Sequence, residues 1–175
     1  MRALHVLFYR PCADDHWLNR LVTTVAPPFS HCDLQFDDGL ATSVYQRESV
    51  YMETKSLSRD NYERVSIAID EGEHERIRDF CTRAHRDQVA FDPLGMALCV
   101  VPQAARLREA PQGRTFCSRY ILEALQQTGR PEFAAHDPAC TTPSALYRML
   151  KEYGREFIHI PEKRLQRLAL SGIAT

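Results

Sequence analysis

The stretch from Phe29 to Val44 constrains the fold more than any other part of this chain. Apolar and polar residues alternate towards Phe36, Asp37-Asp38-Gly39 supplies a turn, and Thr42 and Val44 continue the alternation beyond it. A period of two on both sides of an Asp-Gly turn predicts a β-hairpin over residues 30 to 46. Side chains alternate across a strand, so His31, Asp33 and Gln35 share one face, with Leu34 and Phe36 on the other. That division is ordinary for a half-exposed strand of an antiparallel sheet. Taken alone, His31 is expected to be a surface or hydrogen-bonded histidine.

A second segment changes the weight of that histidine. Arg114-Thr-Phe-Cys-Ser-Arg-Tyr-Ile-Leu-Glu-Ala-Leu125 carries Phe116, Tyr120, Ile121, Ala124 and Leu125 as one apolar stripe. Thr115 is the expected N-cap, and Gly129 followed by Pro131 supplies the stop. Cys117 then stands in the first helical turn, where unpaired N–H groups and a partial positive charge favour thiolate over thiol. The same amides suit an oxyanion on an attacked carbonyl. Most free cysteines are simply small buried hydrophobes. A thiol at a helix start, paired with a strand histidine, instead has the parts of a nucleophile and its base. Such a base needs an orienting partner to fix its tautomer. Asp33, on the same face, and Ser43, on the second strand, are both placed to serve, and Asp33 is the stronger orienting group.

The rest of the chain reads as an α+β domain, an antiparallel sheet packed by helices. Leu4 to Tyr9, Ser49 to Thr54 and Arg64 to Ile69 read as strands. His16 to Val25 has helical spacing and ends before Pro27-Pro28. Asp70 with Glu73 forms a capping box for a helix bearing Ile77, Phe80, Cys81 and Ala84. Phe91 to Val101 reads as a short helix or loop, 106 to 114 as a polar loop, and 131 to 141 as irregular. Thr142-Pro143 starts a helix that runs to Tyr153 and stops at Gly154. Glu156 to Ile160 is expected to close as a strand, with a peripheral tail beyond about residue 161.

A chain of 175 residues is expected to form one domain. A formal net charge of −1 with scattered basic residues shows no nucleic-acid footprint. Arg106, Arg108 and Arg114 are interrupted by Glu109 and read as solvated surface. No apolar run reaches transmembrane length, and Met1-Arg-Ala-Leu-His does not open a signal peptide, so a cytoplasmic setting is expected, a viral host cell included. The six cysteines lack the spacing of a disulfide framework and are expected to be reduced. Cys12/His16, Cys81/His85 and His136/Cys140 are each spaced by four, but no CxxC accompanies them, so neither metal nor cofactor is expected.

Four short motifs occur in an order that resembles a known family. They are Pro28-Phe-Ser-His-Cys-Asp-Leu34, Val89-Ala-Phe-Asp-Pro-Leu-Gly95, Phe116-Cys-Ser-Arg-Tyr120 and Thr142-Pro-Ser-Ala-Leu-Tyr-Arg-Met-Leu150. They resemble the "SHVEL", "YDxxG", "FCSE" and "SPxxL" segments of circularly permuted NlpC-type, papain-like proteins. That group includes bacterial YiiX-type peptidases and relatives in large viruses and phages. The resemblance implies that Cys117 is the nucleophile and His31 the general base, with histidine preceding cysteine, the reverse of papain's order. Asp33 matches the acid of the "SHVEL" form. Relatives often carry an acid, histidine or amide where Ser43 stands, and an acid where Arg119 stands. The activity implied is thiol hydrolysis of a peptide or isopeptide bond through an acyl-enzyme. The alternatives are acyl transfer or thioester hydrolysis on lipid esters, or a catalytically inactive binding protein of the same fold. The "NCEHFV" motif of lecithin:retinol-type acyltransferases is absent.

Overall fold

A computed structural model describes residues 1–12, 22–55, 61–109 and 111–157. Its five long strands are β1 (Arg2–Tyr9), β2 (His31–Gln35), β3 (Leu40–Val44), β4 (Val50–Thr54) and β5 (Tyr62–Ile69). They form an antiparallel sheet in the order β4-β3-β2-β1-β5. The hairpin turns as its sequence requires. Phe36 N–H donates to the Leu40 carbonyl at 2.9 Å, and Gly39 takes a φ of +86°, a conformation that favours glycine.

Alternation in the strands decides which face is covered. Phe8 pairs with Cys32, Val6 with Leu34, and Leu34 with Thr42, so these side chains share a face. Leu4, Val6, Phe8, Cys32 and Leu34 are fully buried there, in one cluster with Ile77, Ile121, Leu125 and Leu146 from the helices. Burying one Leu or Phe side chain stabilises by roughly 1.5–3 kcal/mol. A one-residue slip of β2 would turn Cys32 and Leu34 outward and so lose several such contributions. That penalty fixes the register on which His31 and Asp33 depend.

Helix α1 (Glu71–Arg86) starts with the expected capping box: Asp70 accepts from Glu73 N–H at 2.7 Å, and Glu73 accepts from Asp70 N–H at 2.8 Å. Asp70→Ala should lower the unfolding free energy by about 1 kcal/mol. Urea titration checks this, and an unchanged midpoint would mean that the cap is redundant. Next come β6 (Ala90–Phe91), α2 (Pro93–Leu98), α3 (Pro102–Leu107) and β7 (Arg114–Thr115), with β6 and β7 paired in parallel. Helix α4 (Cys117–Gln126) packs on β2. The chain then passes through α5 (Pro131–Ala134) and a 3-10 turn at Pro138–Cys140 to α6 (Pro143–Phe157). The fold is therefore α+β, a five-stranded antiparallel sheet packed against helices.

Several local expectations are corrected. The polar face of β2 is not half-exposed, because all five of its residues are buried. The stretch from Phe91 holds a short helix, α2, as expected, with Phe91 itself in β6, whereas α3 and β7 occupy the ends of the expected polar loop. Gly154 does not stop α6, which continues to Phe157, so residues 156–157 are helical rather than the start of a strand. An interior glycine costs a helix only about 1 kcal/mol relative to alanine, and α6 is held by the buried Leu146, Met149 and Leu150. Of the helix expected over 16–25, residues 22–25 are helical and the remainder lies outside the described residues, as do residues 158–160 and the tail. No helix among the described residues is long and apolar enough to cross a membrane.

Candidate active site

Cys117 is the first residue of α4, and the cap is Phe116 rather than Thr115. Thr115 is already committed to β7, where its carbonyl accepts from Asp92 N–H at 2.7 Å. Phe116 has no side-chain acceptor for the helix amides, and the first intrahelical bond runs from Tyr120 N–H to the Phe116 carbonyl at 2.9 Å. The amides of Cys117, Ser118 and Arg119 precede that bond and form the positive end of the helix dipole. Ser118 fixes the helix start by donating to the Thr141 carbonyl at 2.7 Å.

The two partial motifs flanking the site hold these ends in place. Asp92 caps α2 by accepting from Gly95 N–H at 3.0 Å and takes a two-point ion pair from Arg108, at 2.6 and 3.0 Å. Its own N–H secures Thr115, two residues from Cys117. Ser144, at the start of α6, accepts from Phe29 N–H at 3.1 Å and donates to the Ala26 carbonyl at 2.8 Å. That anchors the segment that delivers His31.

His31 opens β2, and its Nε2 lies 3.3 Å from Asp33 Oδ1. The imidazole stacks on Tyr45 with ring centroids 4.4 Å apart, and Tyr45 stacks in turn on Tyr51. The Tyr51 hydroxyl donates to the same Asp33 oxygen, and Lys55 Nζ lies 3.7 Å from the Tyr51 ring centroid. Asp33 is fully buried, and its Oδ2 has no hydrogen-bond partner among the described residues. Ser43 does not reach the imidazole: its hydroxyl donates to the Cys32 carbonyl at 2.7 Å. Of the two orienting groups the sequence offers, the structure therefore brings Asp33 to His31 and assigns Ser43 to the backbone.

Electrostatics couple the histidine to the thiol. Hydrogen bonding from the Cys32 thiol holds the Cys117 thiol well below its ordinary range, against the opposing effect of burial and with help from the His31 charge and hydrogen bond. Burial opposes a charge on His31, but the charges of Asp33 and Cys117 outweigh it and raise the imidazole well above its ordinary value. Burial and the neighbouring Cys117 push the Cys32 thiol up, so Cys32 stays a donor. Burial works against ionised Asp33, yet His31, Tyr51 and Lys55 keep its carboxyl below the usual range. These directions favour a thiolate–imidazolium pair backed by a carboxylate.

This pair has a defined pH signature. As an ion pair it holds one proton when folded; unfolded, it holds two below the ordinary histidine value of 6.5, one up to the thiol value of 9.0, and none above. Its contribution to stability should be flat between 6.5 and 9.0, lost as pH falls below that window and lost as pH rises above it. Cys117→Ala removes the thiol, so the loss of stability that sets in at 9.0 should disappear as a distinct upper edge. Melting temperature against pH for both proteins checks this, and an identical upper edge would contradict the ion pair. Alkylation near pH 6.5 should also select Cys117 over the more exposed Cys140, whose thiol burial and Asp137 push up.

No family model, curated protein or solved structure matches this chain. The site therefore stands on its own geometry. Among the described residues no three His, Cys, Asp or Glu side chains gather as a metal set. Tyr45, Tyr51, Lys55 and Cys32 were not singled out by sequence. Tyr51 carried a signal, because strand alternation after the hairpin sets it across from Ser43. Cys32 carried none, since an adjacent position on β2 places it on the opposite face from His31.

Proposed function

We propose that this protein is a thiol hydrolase of the circularly permuted, NlpC-type papain-like kind, acting on an amide bond through an acyl-enzyme. The observation that carries the reading is the buried Cys117–His31–Asp33 set, in which each charge is held by its neighbour. The Cys117 thiolate attacks the carbonyl carbon and forms a C–S bond. The oxyanion is held by the first-turn amides of α4. The carbonyl–nitrogen bond then breaks as His31 gives its proton to the departing amine. Water next attacks the thioester and yields a proton to His31, releasing a carboxylic acid and restoring the thiolate. A reducing, cytoplasmic compartment suits a nucleophile of this kind, because it keeps the thiol from oxidation.

The test is intact-mass and peptide mapping after exposure to an activated acyl donor. One acyl group should appear on Cys117, and it should vanish in both Cys117→Ala and His31→Ala. Equal labelling of all the cysteines, indifferent to His31, would sink the proposal and favour a binding protein without catalysis.

A further inference from the structure

A cavity of about 310 Å3 adjoins Cys117, within the range of small-molecule sites. Its apolar lining includes Val22, Val25, Met96, Cys99, Val100 and Phe116. No charged side chain contributes to the lining among the described residues; the polar contributions come from Ser30, Gln46, Ser118 and Thr142. The Ser30 hydroxyl is buried and has no hydrogen-bond partner among those residues. A charged substrate group would find no counter-ion among the described residues lining this space and would lose its hydration, whereas a hydrocarbon would lose only unfavourable contact with water.

The position relative to the two reacting groups tells which half of a substrate belongs there. The leaving group must depart on the imidazole side, because His31 supplies its proton. Cys117 and both its chain neighbours line the cavity, and His31 does not. We infer that the cavity beside Cys117 binds the acyl half of the substrate, and that this half carries an uncharged hydrocarbon group. This inference rests on the proposed function and specifies its substrate class. A fatty acyl chain and an aliphatic amino-acid side chain offer the same chemistry. Among the described residues, Val25 and Val100, both exposed to solvent, leave the apolar lining open at one side for a chain to enter.

The experiment measures kcat/KM of the full chain on acetyl, butyryl, octanoyl and dodecanoyl thioesters, and on coumarin amides of acetyl-leucine, acetyl-lysine and acetyl-glutamate. Rates are taken relative to Cys117→Ala. Each methylene accommodated should raise kcat/KM by up to roughly fourfold, and leucine should exceed both charged residues by at least about tenfold. Met96→Trp, which fills the cavity, should bring the octanoyl-to-acetyl ratio close to one. Val100→Glu, at an exposed position, should do the same by charge and guards against a folding defect in the first variant. A dodecanoyl optimum identifies a lipid source, and a leucyl optimum a peptide source. Acylation of Cys117 with no dependence on chain length or charge overturns the cavity assignment and leaves the nucleophile intact. If no donor acylates Cys117, the hydrolase reading has failed, and calorimetry with octanamide then decides the cavity separately. Binding lost in Val100→Glu supports the cavity, and absence of binding overturns it.

Discussion

Asparagine in place of Asp33 is expected to lower kcat/KM for acylation of Cys117 by about a thousandfold, with the fold retained. The reason lies in the ring nitrogens. Nε2 of His31 faces Asp33 Oδ1, so in the proposed mechanism Nδ1 is the nitrogen that exchanges a proton with the thiol. A carboxylate only accepts, so it holds the Nε2 proton and keeps Nδ1 able to exchange a proton with Cys117. An amide presenting its NH2 group to Nε2 would force the proton onto Nδ1, the tautomer unable to act as base. It would also remove the charge that keeps the buried imidazole protonated. The pH profile separates this from a mere structural defect: the upper limb of the wild-type curve, set by the imidazolium, should move to lower pH in Asp33→Asn. Ser43→Ala, which loses only the bond to the Cys32 carbonyl, should change the rate far less. A loss in Asp33→Asn no greater than in Ser43→Ala would remove Asp33 from the catalytic set.

Gly95→Ala should have the largest effect on stability among the glycine variants, roughly 3 kcal/mol. A β-carbon there would lie 2.7 Å from Arg108 Nη1 and 2.8 Å from Asp92 Cγ, too close for either to remain. The side chain displaced is the buried carboxylate that caps α2 and pairs with Arg108. Separating that pair leaves an uncompensated buried charge, which is why the cost exceeds that of an ordinary lost contact. Gly72→Ala is the control. In the first turn of α1 a β-carbon meets only the flexible Arg76 side chain at 3.4 Å and Asp70 Oδ1 at 3.5 Å, so the change should be neutral or stabilising. Urea unfolding of both variants checks the contrast, and equal midpoints would refute the account of Gly95. Because Asp92 also secures Thr115, Gly95→Ala should slow Cys117 acylation even where the protein remains folded.

Much of this was legible in the sequence for a simple reason. Strand alternation and helix capping are local, so the hairpin, the capping box at Asp70 and the helix start at Thr142 could be read from neighbours in the chain. Thr115 was misjudged as a cap because its competing partner, Asp92 N–H, lies in a distant segment. Arg108 looked like surface charge for the same reason, since nothing near it in sequence announces the carboxylate it neutralises. The burial of His31 and Asp33 was likewise hidden. A polar strand face reads as exposed until the aromatic rings of Tyr45 and Tyr51 are placed beside it. The effect of Cys32 on the acidity of Cys117 couples two residues that each resemble ordinary buried thiols.

The proposed nucleophile and base come from opposite halves of the chain, His31 from the sheet and Cys117 from a helix that follows it in sequence. During synthesis the base emerges first, and the cysteine meets it only when α4 docks on β2. Until then Cys117 is a thiol of ordinary acidity, slow to react with acyl donors or oxidants. On the proposed reading, reactivity is thus switched on by a long-range packing event rather than carried by the nascent chain. A pulse of thiol reagent near neutral pH therefore doubles as a clock for folding: the rate at which Cys117 becomes the fastest-labelled cysteine reports the docking of α4 onto the sheet.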